Sequence, residues 1–324
     1  MSDGPVIVTR GLHKTYRTGF WMRPHVGLHP LDLRVAGGSI FGFVGPNGAG
    51  KTTTIKILVG IHEASGGEAT VLGHDHRDPE ARRKVGFMPE RPYFYPHLTG
   101  AELLDFYGRL FEVPEPTRSQ RARALLERVD MARAADQPLR SYSKGMLQRV
   151  GICQALINDP QLVILDEPMS GLDPLGRALV RDLILEEKAR GRSVFFSSHI
   201  LHDVETLSDR VAILVGGRLR SEGTVDDLLG AGSKGVELEL RLPAGAAPAA
   251  WAARLGAELR RAEGDRALLI VPPDRSAAAV ALSQAQGATL LRLTPLRASL
   301  EELLMSEIEA AGRGSATAQP EGAR

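Results

Sequence analysis

The sequence predicts an α/β fold whose main domain is built on a buried parallel sheet. Apolar runs rich in Val, Ile and Phe alternate with helical patterns through the first two thirds of the chain: SIFGFVG, QLVILDE, RSVFFSS and RVAILVG. Nearly continuous apolar strands separated by helices are typical of parallel sheets, whose strands are covered on both faces. A glycine-rich stretch, GFVGPNGAGKTTT, joins one such strand to a helix. The 324 residues suffice for this domain and a smaller second one.

The domain organisation follows from changes in pattern and composition. We predict a main domain over residues 1–230, with a helical insert at about 97–158 where no strand signal occurs. Gly and Ala become frequent at 230–234, which indicates a linker. Strand candidates VELELRL, ALLIVPP and ATLLRLT then alternate with Ala-rich helical stretches, predicting a small α/β domain over 231–310. Residues 311–324 lack apolar content, so we predict a disordered tail.

Charge and cysteine usage exclude several classes of protein. Basic and acidic residues number 40 and 39, and the net charge of +1 offers no basic surface for nucleic acid. The only cysteine, Cys153, cannot form an internal disulfide or a zinc site. The start MSDGPVIVTR lacks the apolar segment of a signal peptide, and no run approaches the eighteen apolar residues that span a bilayer. We therefore expect a cytoplasmic protein, and any role at a membrane must come through a partner chain.

The stretch GFVGPNGAGKTTT has the spacing of a phosphate loop. Gly45, Gly50, Lys51 and Thr52 stand at the G-x-x-x-x-G-K-[ST] positions, after a strand and before a helix. Glycines allow successive backbone N–H groups to face phosphates, and the helix start adds partial positive charge. Lys51 is predicted to reach the β- and γ-phosphates, and the Thr52 hydroxyl to bind Mg²⁺. The rival interpretation, a glycine-rich turn before a helix, is disfavoured because the full motif is rare by chance and stands in the strand-to-helix context that a phosphate loop requires.

Two acids follow the strand LVIL at the sheet edge where α/β proteins bind ligands. Asp166 suits the Mg²⁺-holding role, and Glu167 can polarise a water for attack on the γ-phosphate. His199, after the strand RSVFFSS, is predicted to touch the γ-phosphate or to orient that water. No N-K-x-D motif occurs, which disfavours GTP. The residues thus predict a phosphate-loop ATPase.

The stretch SYSKGMLQRV predicts a second helix start suited to an anion. Ser143 stands at the N-cap position and is followed by Lys144 and Gly145. Apolar residues then recur on one predicted helical stripe: Met146, Val150, Cys153 and Ile157. Since the phosphate loop already has its own helix, we infer that this one serves the nucleotide of a second copy, in a head-to-tail dimer with ATP at the interface.

In this combination the chain resembles the nucleotide-binding subunit of ATP-binding-cassette (ABC) transporters over about residues 5–230. The resemblance implies a P-loop ATPase cassette, ATP and Mg²⁺ as cofactors, a dimer of cassettes, and a transmembrane permease on a separate chain. By resemblance Glu167 is the catalytic base, His199 the switch histidine, and the Mg²⁺ ligands are Thr52, Asp166 and Glu90. Resemblance also assigns nucleotide contacts to Walker A, signature, Q-loop, D-loop and adenine-stacking positions: Gly45, Pro46, Asn47, Gly48, Ala49, Gly50, Lys51, Thr52, Thr53, Ser143, Lys144, Gly145, Met146, Glu90, Asp173 and Tyr16.

Three features depart from the common family pattern. The segment before the Walker A loop is long, so Phe20 or Trp21 are alternatives to Tyr16 for stacking on adenine. The signature reads YSKGM instead of LSGGQ, and Glu90 stands where a glutamine is usual. A carboxylate only accepts hydrogen bonds, which bears on coupling more than on the fold. The last two features, together with the short C-terminal domain, resemble exporters of the type-2 ABC class.

Two other functions fit the same ATPase chemistry. A soluble ABC ATPase acting on ribosomes usually carries two cassettes, whereas this chain has one. An ATPase acting on DNA carries a long coiled-coil insertion, for which the span from Lys51 to Asp166 is too short, or zinc-binding cysteines, which a single cysteine excludes. A regulatory or assembly ATPase on a membrane complex has no sequence feature that separates it from a transporter. The substrate and the role of the C-terminal domain are left open.

Overall fold

The computed structural model describes residues 4–19, 21–229, 235–296 and 299–316. The chain forms two compact units, Met1–Val225 with Leu304–Arg324, and Asp226–Leu303. In the described residues the strands are β1 (Pro5–Thr18), β2 (Arg23–Ala36), β3 (Ile40–Val44), β4 (Gly66–Val71), β5 (His74–Asp75), β6 (Val85–Met88), β7 (Leu162–Asp166), β8 (Ser193–Ser198), β9 (Arg210–Val215), β10 (Arg218–Thr224), β11 (Gly235–Arg241), β12 (Glu258–Glu263), β13 (Arg266–Val271) and β14 (Thr289–Leu296).

The helices connect these strands along the chain. They are α1 (Lys51–Leu58), α2 (Pro79–Arg83), α3 (Gly100–Leu110), α4 (Thr117–Arg128), α5 (Lys144–Leu156), α6 (Pro174–Ala189), α7 (Leu201–Leu207), α8 (Val225–Leu229), α9 (Pro248–Leu255), α10 (Ser276–Ala285) and α11 (Leu300–Ala316). No helix in the described part of the chain combines the length and the apolar character needed to cross a bilayer.

The core of the first unit is a six-stranded sheet in the order β10-β9-β3-β8-β7-β6. The last five strands of this order are parallel, and β10 pairs antiparallel with β9. Every residue of β3, β7 and β8 is buried, as expected for strands covered on both faces. Phe41 of β3 stacks on Phe195 of β8 with ring centroids 5.7 Å apart. The predicted parallel sheet is therefore confirmed.

The N-terminal residues form a separate antiparallel sheet, in the order β2-β1-β4-β5. This second sheet was not predicted from the sequence. The second half of β2 alternates between buried and exposed residues, the pattern of a strand covered on one face only. Ile7 and Leu31 of this sheet pack in one core with Phe43 and Ile55.

The region 97–158 contains α3, α4 and α5 and no strand among its named elements. Helix α3 begins with a capping box, in which Thr99 and Glu102 satisfy each other's backbone N–H groups. Helix α5 differs from its predicted amphipathic form. Gly151, Ile152 and Ala155 are buried as well as Val150 and Cys153 of the predicted stripe, because α5 packs against β6 and β7 as well as α3 and α4.

The second unit contains a four-stranded antiparallel sheet, with α9 and α10 between its strands. Its order, β12-β13-β11-β14, and its β-α-β-β-α-β succession are those of a ferredoxin-like split βαβ unit. Leu238, Leu240 and Leu269 pack with Trp251 of α9 in a core of their own. The sequence revealed only three of the four strands because β12, ELRRAE, has four charged residues among six and is exposed except at Leu259.

The boundaries of this unit differ from the predicted 231–310. The unit spans Asp226–Leu303, and α11 belongs to the first unit from Leu304. Helix α11 runs to Ala316, so the predicted disorder is wrong for 311–316, since helix propagation costs little once the preceding turns exist. The predicted linker 230–234 and the tail from 317 lie outside the described residues.

Replacing Gly86 by alanine tests the packing of the sheet against α5. A Cβ at Gly86, on β6, would overlap the carbonyl oxygen of Ala155. We expect Gly86→Ala to lower the free energy of unfolding by about 1–3 kcal/mol through overpacking, measured by urea denaturation. Gly4→Ala is the control, because a Cβ there meets no atom within 4 Å. Equal stability of the two variants would contradict this packing.

Candidate functional site

A cavity of about 530 Å³ opens where β3 leads into α1. It collects residues from seven separate stretches of the sequence. The predicted site residues that line it are Tyr16, Asn47, Gly48, Ala49, Gly50, Lys51, Thr52, Thr53, Glu90, Lys144, Glu167 and His199. His25, Gly27, Arg91 and Ser170 complete the lining and were not predicted.

The phosphate loop wraps one end of this cavity. Gly50 has φ +103°, and a Cβ there would lie 2.8 Å from the carbonyl oxygen of Gly27, so only glycine fits. Lys51, the first residue of α1, is 6% exposed. Its Nζ donates hydrogen bonds to the carbonyl oxygens of Gly45 at 2.6 Å and Pro46 at 3.3 Å. Two carbonyl groups of the loop thus hold the ammonium of Lys51, which lines the cavity.

The carboxylate of Glu167 is held from both sides. Its Oε1 lies 3.4 Å from Lys51 Nζ, and its Oε2 lies 2.6 Å from His199 Nδ1. The backbone N–H of His199 also donates to Oε2, at 3.3 Å. Glu167 is 7% exposed, whereas the side chain of His199 is 48% exposed. Burial and two fixed partners give this carboxylate a defined direction, as a general base requires.

Asp166 lies behind Glu167 and is 1% exposed. Its Oδ1 accepts a hydrogen bond of 2.6 Å from Ser197 Oγ, and Thr52 also hydrogen-bonds its side chain. Burial raises the pKa of Asp166, these two hydrogen bonds oppose that rise, and the negative charges of Glu167 and Glu90 add to it. A cation would offset the cost of keeping this carboxylate ionised.

The comparisons with known proteins point to one family. A family model described as ABC transporter matches residues 28–170. An uncharacterised ABC transporter ATP-binding protein of Synechocystis sp. is 51% identical over 239 residues, covering 73% of this chain and 67% of that protein. The chain belongs to the ABC transporter family as an ATP-binding subunit.

Two further likenesses extend this result. Nod factor export ATP-binding protein I of Cupriavidus pinatubonensis is 37% identical over 206 residues, which cover 63% of each chain. A cassette solved as a dimer in a post-hydrolysis state with ADP and Pi matches with a TM-score of 0.63 over 68% of this chain and 98% of that one. At 23% identity that likeness shows the fold alone. The ATP-binding subunit is thus a P-loop cassette from a family of ATPases.

Among the described residues of the ATP-binding subunit, Tyr16 is the one tyrosine, phenylalanine or tryptophan that lines the cavity. Its hydroxyl lies 3.2 Å from both Thr53 Oγ1 and His62 Nδ1. A Cβ at Gly27 would lie 2.6 Å from the Tyr16 ring, so the glycine makes room for it. Trp21 is 78% exposed and is not part of the lining, and Phe20 lies outside the described residues.

Of the four predicted signature residues, only Lys144 lines the cavity. Ser143 caps α5, with its Oγ accepting from Met146 N at 3.2 Å, and neither residue lines the cavity. Gly145 also lies outside it, whereas Lys144 lines the cavity of its own chain. Asp173 is likewise absent from the lining. Its Oδ1 accepts a hydrogen bond from Gly176 N at 2.7 Å, and it caps α6.

Two buried polar residues of the site were missed by sequence reasoning. Ser197 donates to Asp166 and accepts from the backbone N–H of Glu167 at 3.0 Å. Gln148 donates to the carbonyl oxygen of Glu167 from α5. Ser197 could have been predicted, because it is a polar residue at the end of an apolar strand and stands two positions before His199. Gln148 carried none, since an exposed helix position is the usual place for glutamine.

Proposed function

We propose that two copies of this ATP-binding subunit close on two ATP molecules and that hydrolysis reopens them, driving export through a permease on a separate chain. The observation that carries the proposal is the carboxylate of Glu167, fixed between Lys51 and His199 inside the phosphate-loop cavity. In this arrangement the groups needed for phosphate binding, water activation and γ-phosphate contact are already next to one another.

Each side chain has a role in this chemistry. Lys51 binds the β- and γ-phosphates as a charged donor, and the N–H groups of the loop bind the remaining oxygens. Glu167 accepts the proton of the attacking water, and His199 orients that carboxylate and contacts the γ-phosphate. Tyr16 packs against the adenine base. All of these residues line the cavity. Only the donors that cover the γ-phosphate must come from elsewhere.

The residues also fit a magnesium ion. Thr52, Asp166 and Glu90 would hold it, through a hydroxyl and carboxylates of the kind that Mg²⁺ prefers. Among the described residues no group of three or more His, Cys, Asp or Glu forms a metal cage, which suits an ion that takes most ligands from water and phosphate. When bound, Mg²⁺ would offset the negative charge of the phosphates and of the buried Asp166.

The second copy supplies the missing donors. Ser143, Gly145 and Met146 stand at a capped helix start outside the cavity of their own chain. We infer that they contact the γ-phosphate bound by the other copy, with Asp173 near the interface. The cassette of the same fold that was solved as a dimer is consistent with this assembly.

The partner in the membrane is proposed to dock at an apolar groove of about 380 Å³. The groove lies between β6 and α3, and its aromatic lining is Phe87, Tyr93, Phe94, Tyr107 and Phe111. Tyr93 is 91% exposed, an unusual position for a large ring on a surface without a partner. Docking there would place the subunit on the inner face of the cell membrane.

Capture from native membranes tests the partner. We expect the tagged subunit, purified from detergent-solubilised membranes, to bring a polytopic membrane protein in stoichiometric amount. With Tyr93→Glu the amount of captured membrane protein should fall at least about tenfold, because a charge in the groove must be desolvated when the partner docks. ATP hydrolysis by this variant should be unchanged. Leu185→Glu, an equally drastic change at a 45% exposed position on α6, should capture normally.

The outcomes distinguish the rival functions. A purely cytosolic pool bound to ribosomes or to nothing would contradict the transporter role. A membrane partner whose reconstituted complex moves no solute would indicate a regulatory or assembly ATPase. Export is proposed from the likeness to the Nod factor export protein, and ATP-driven accumulation inside inverted vesicles is the expected result.

A further inference from the structure

The backbone of Glu167 adopts a conformation that this residue type rarely takes. Its φ is +53°, in the left-handed region that favours glycine. Such a conformation persists only where the surroundings hold it, and it occurs often at active sites. The neighbours that hold this peptide therefore also set the direction of the Glu167 carboxylate.

Two hydrogen bonds hold the Glu167 backbone, one on each side. Its N–H donates to Ser197 Oγ at 3.0 Å, and its carbonyl oxygen accepts from Gln148 Nε2 at 3.1 Å. Gln148 Nε2 also donates to the carbonyl oxygen of Pro168, at 3.3 Å. Because both partners are acceptors, the amide nitrogen must be the group that faces them. Gln148 is 2% exposed, so water cannot easily replace it.

Gln148 lies on α5, the helix whose start carries the signature residues. The same helix contacts the loop after Glu167 at a second place. A Cβ at Gly145 would lie 3.4 Å from Leu172 Cδ2, and one at Gly171 would lie 2.7 Å from Lys144 Nζ. The loop from Glu167 to Leu172 thus lies against α5 near both ends of the loop.

We propose that Gln148 is a positioning residue for ATP hydrolysis, which fixes the strained Glu167 backbone to α5 and so directs the base at its water. This inference rests on the proposed function, in which Glu167 is the base and the start of α5 meets the other copy's nucleotide. The Glu167 carboxylate is then aligned relative to α5, the helix whose start contacts the ATP bound by the other copy. Gln148 itself does not line the cavity.

Gln148→Met tests the role, because methionine has a similar length and no donor. We expect kcat for ATP to fall about 10- to 100-fold, as for a misplaced catalytic group, with KM and ATP-dependent dimerisation unchanged. Ile152→Met, a volume-conserving change at a buried position of the same helix, should keep wild-type kcat. A wild-type kcat for Gln148→Met overturns the proposal, as does a loss of kcat matched by Ile152→Met.

Gln148→Glu provides a second readout should Gln148→Met fold poorly. The protonated carboxyl can still donate to one carbonyl oxygen, whereas the ionised form only accepts and repels both. The ratio of its kcat to that of the wild type should therefore rise as the pH is lowered from 8.5 to 6. Wild-type activity of Gln148→Glu at pH 8.5 would overturn the proposal.

Glu167→Gln, assayed in parallel, separates this inference from the proposed function. If Glu167→Gln hydrolyses ATP normally, the assigned base is wrong and the proposed function fails. If Glu167→Gln is inactive while Gln148→Met turns over normally, the base stands and only the positioning role of Gln148 fails.

Discussion

Glu167→Gln is expected to abolish steady-state ATP hydrolysis, with kcat falling about 10²- to 10⁴-fold, the usual contribution of a general base. The amide keeps the shape of the side chain and its contact with His199 but cannot accept the water proton. The measurement is phosphate release under saturating Mg²⁺ and ATP. ATP affinity should be kept, since Lys51 and the phosphate loop are unchanged.

The control for this variant is its capacity to bind nucleotide. Binding of a fluorescent ATP analogue and the thermal unfolding midpoint should both match the wild type. Loss of binding together with hydrolysis would mean that Glu167 stabilises the loop through its 3.4 Å contact with Lys51 rather than acting as the base. Normal turnover would remove Glu167 from the mechanism altogether.

Lys51→Met is expected to weaken ATP binding, with Kd rising about 30-fold or more. Removing one partner of a desolvated charge pair costs about 2 kcal/mol at least, and each 1.4 kcal/mol is a factor of ten. Lys51 is 6% exposed, so water replaces its ammonium poorly. Titration calorimetry with ATP measures the change.

A second lysine on the same helix provides the matched control. Lys56 lies in the last turn of α1 and does not line the cavity. Lys56→Met should bind ATP with wild-type affinity and unfold at the wild-type temperature. Equal affinities for the Lys51 and Lys56 variants would contradict the assigned phosphate contact.

The sequence predicts those parts of the site whose residues are contiguous in the chain. The phosphate loop, the strand that ends in Asp166 and Glu167, and the strand before His199 each combine a buried strand with its own chemistry. Each lies where predicted, because a buried parallel strand needs a continuous apolar run and ends at the ligand-binding edge. Parallel pairing then brings these strand ends together.

Features that depend on contacts between distant residues could not be predicted. Gln148 and Ser197 meet Glu167 across separations of 19 and 30 residues, and no local pattern records such a pairing. The antiparallel sheet of β1 and β2 was missed because charged residues interrupt its alternating pattern. Lys144 lines the cavity of its own chain and lies beside Gly171 of the loop after β7, a proximity that the helix pattern of α5 does not reveal.

The mass of Glu167→Gln in solution tests the central claim, that two copies enclose ATP between them. Sedimentation equilibrium should give the 34.9 kDa of one chain without nucleotide and twice that mass with Mg²⁺ and ATP. Addition of Ser143→Arg, which places a bulky charge at the helix start, should restore the single-chain mass. A single-chain mass for Glu167→Gln with saturating Mg²⁺ and ATP would contradict the account.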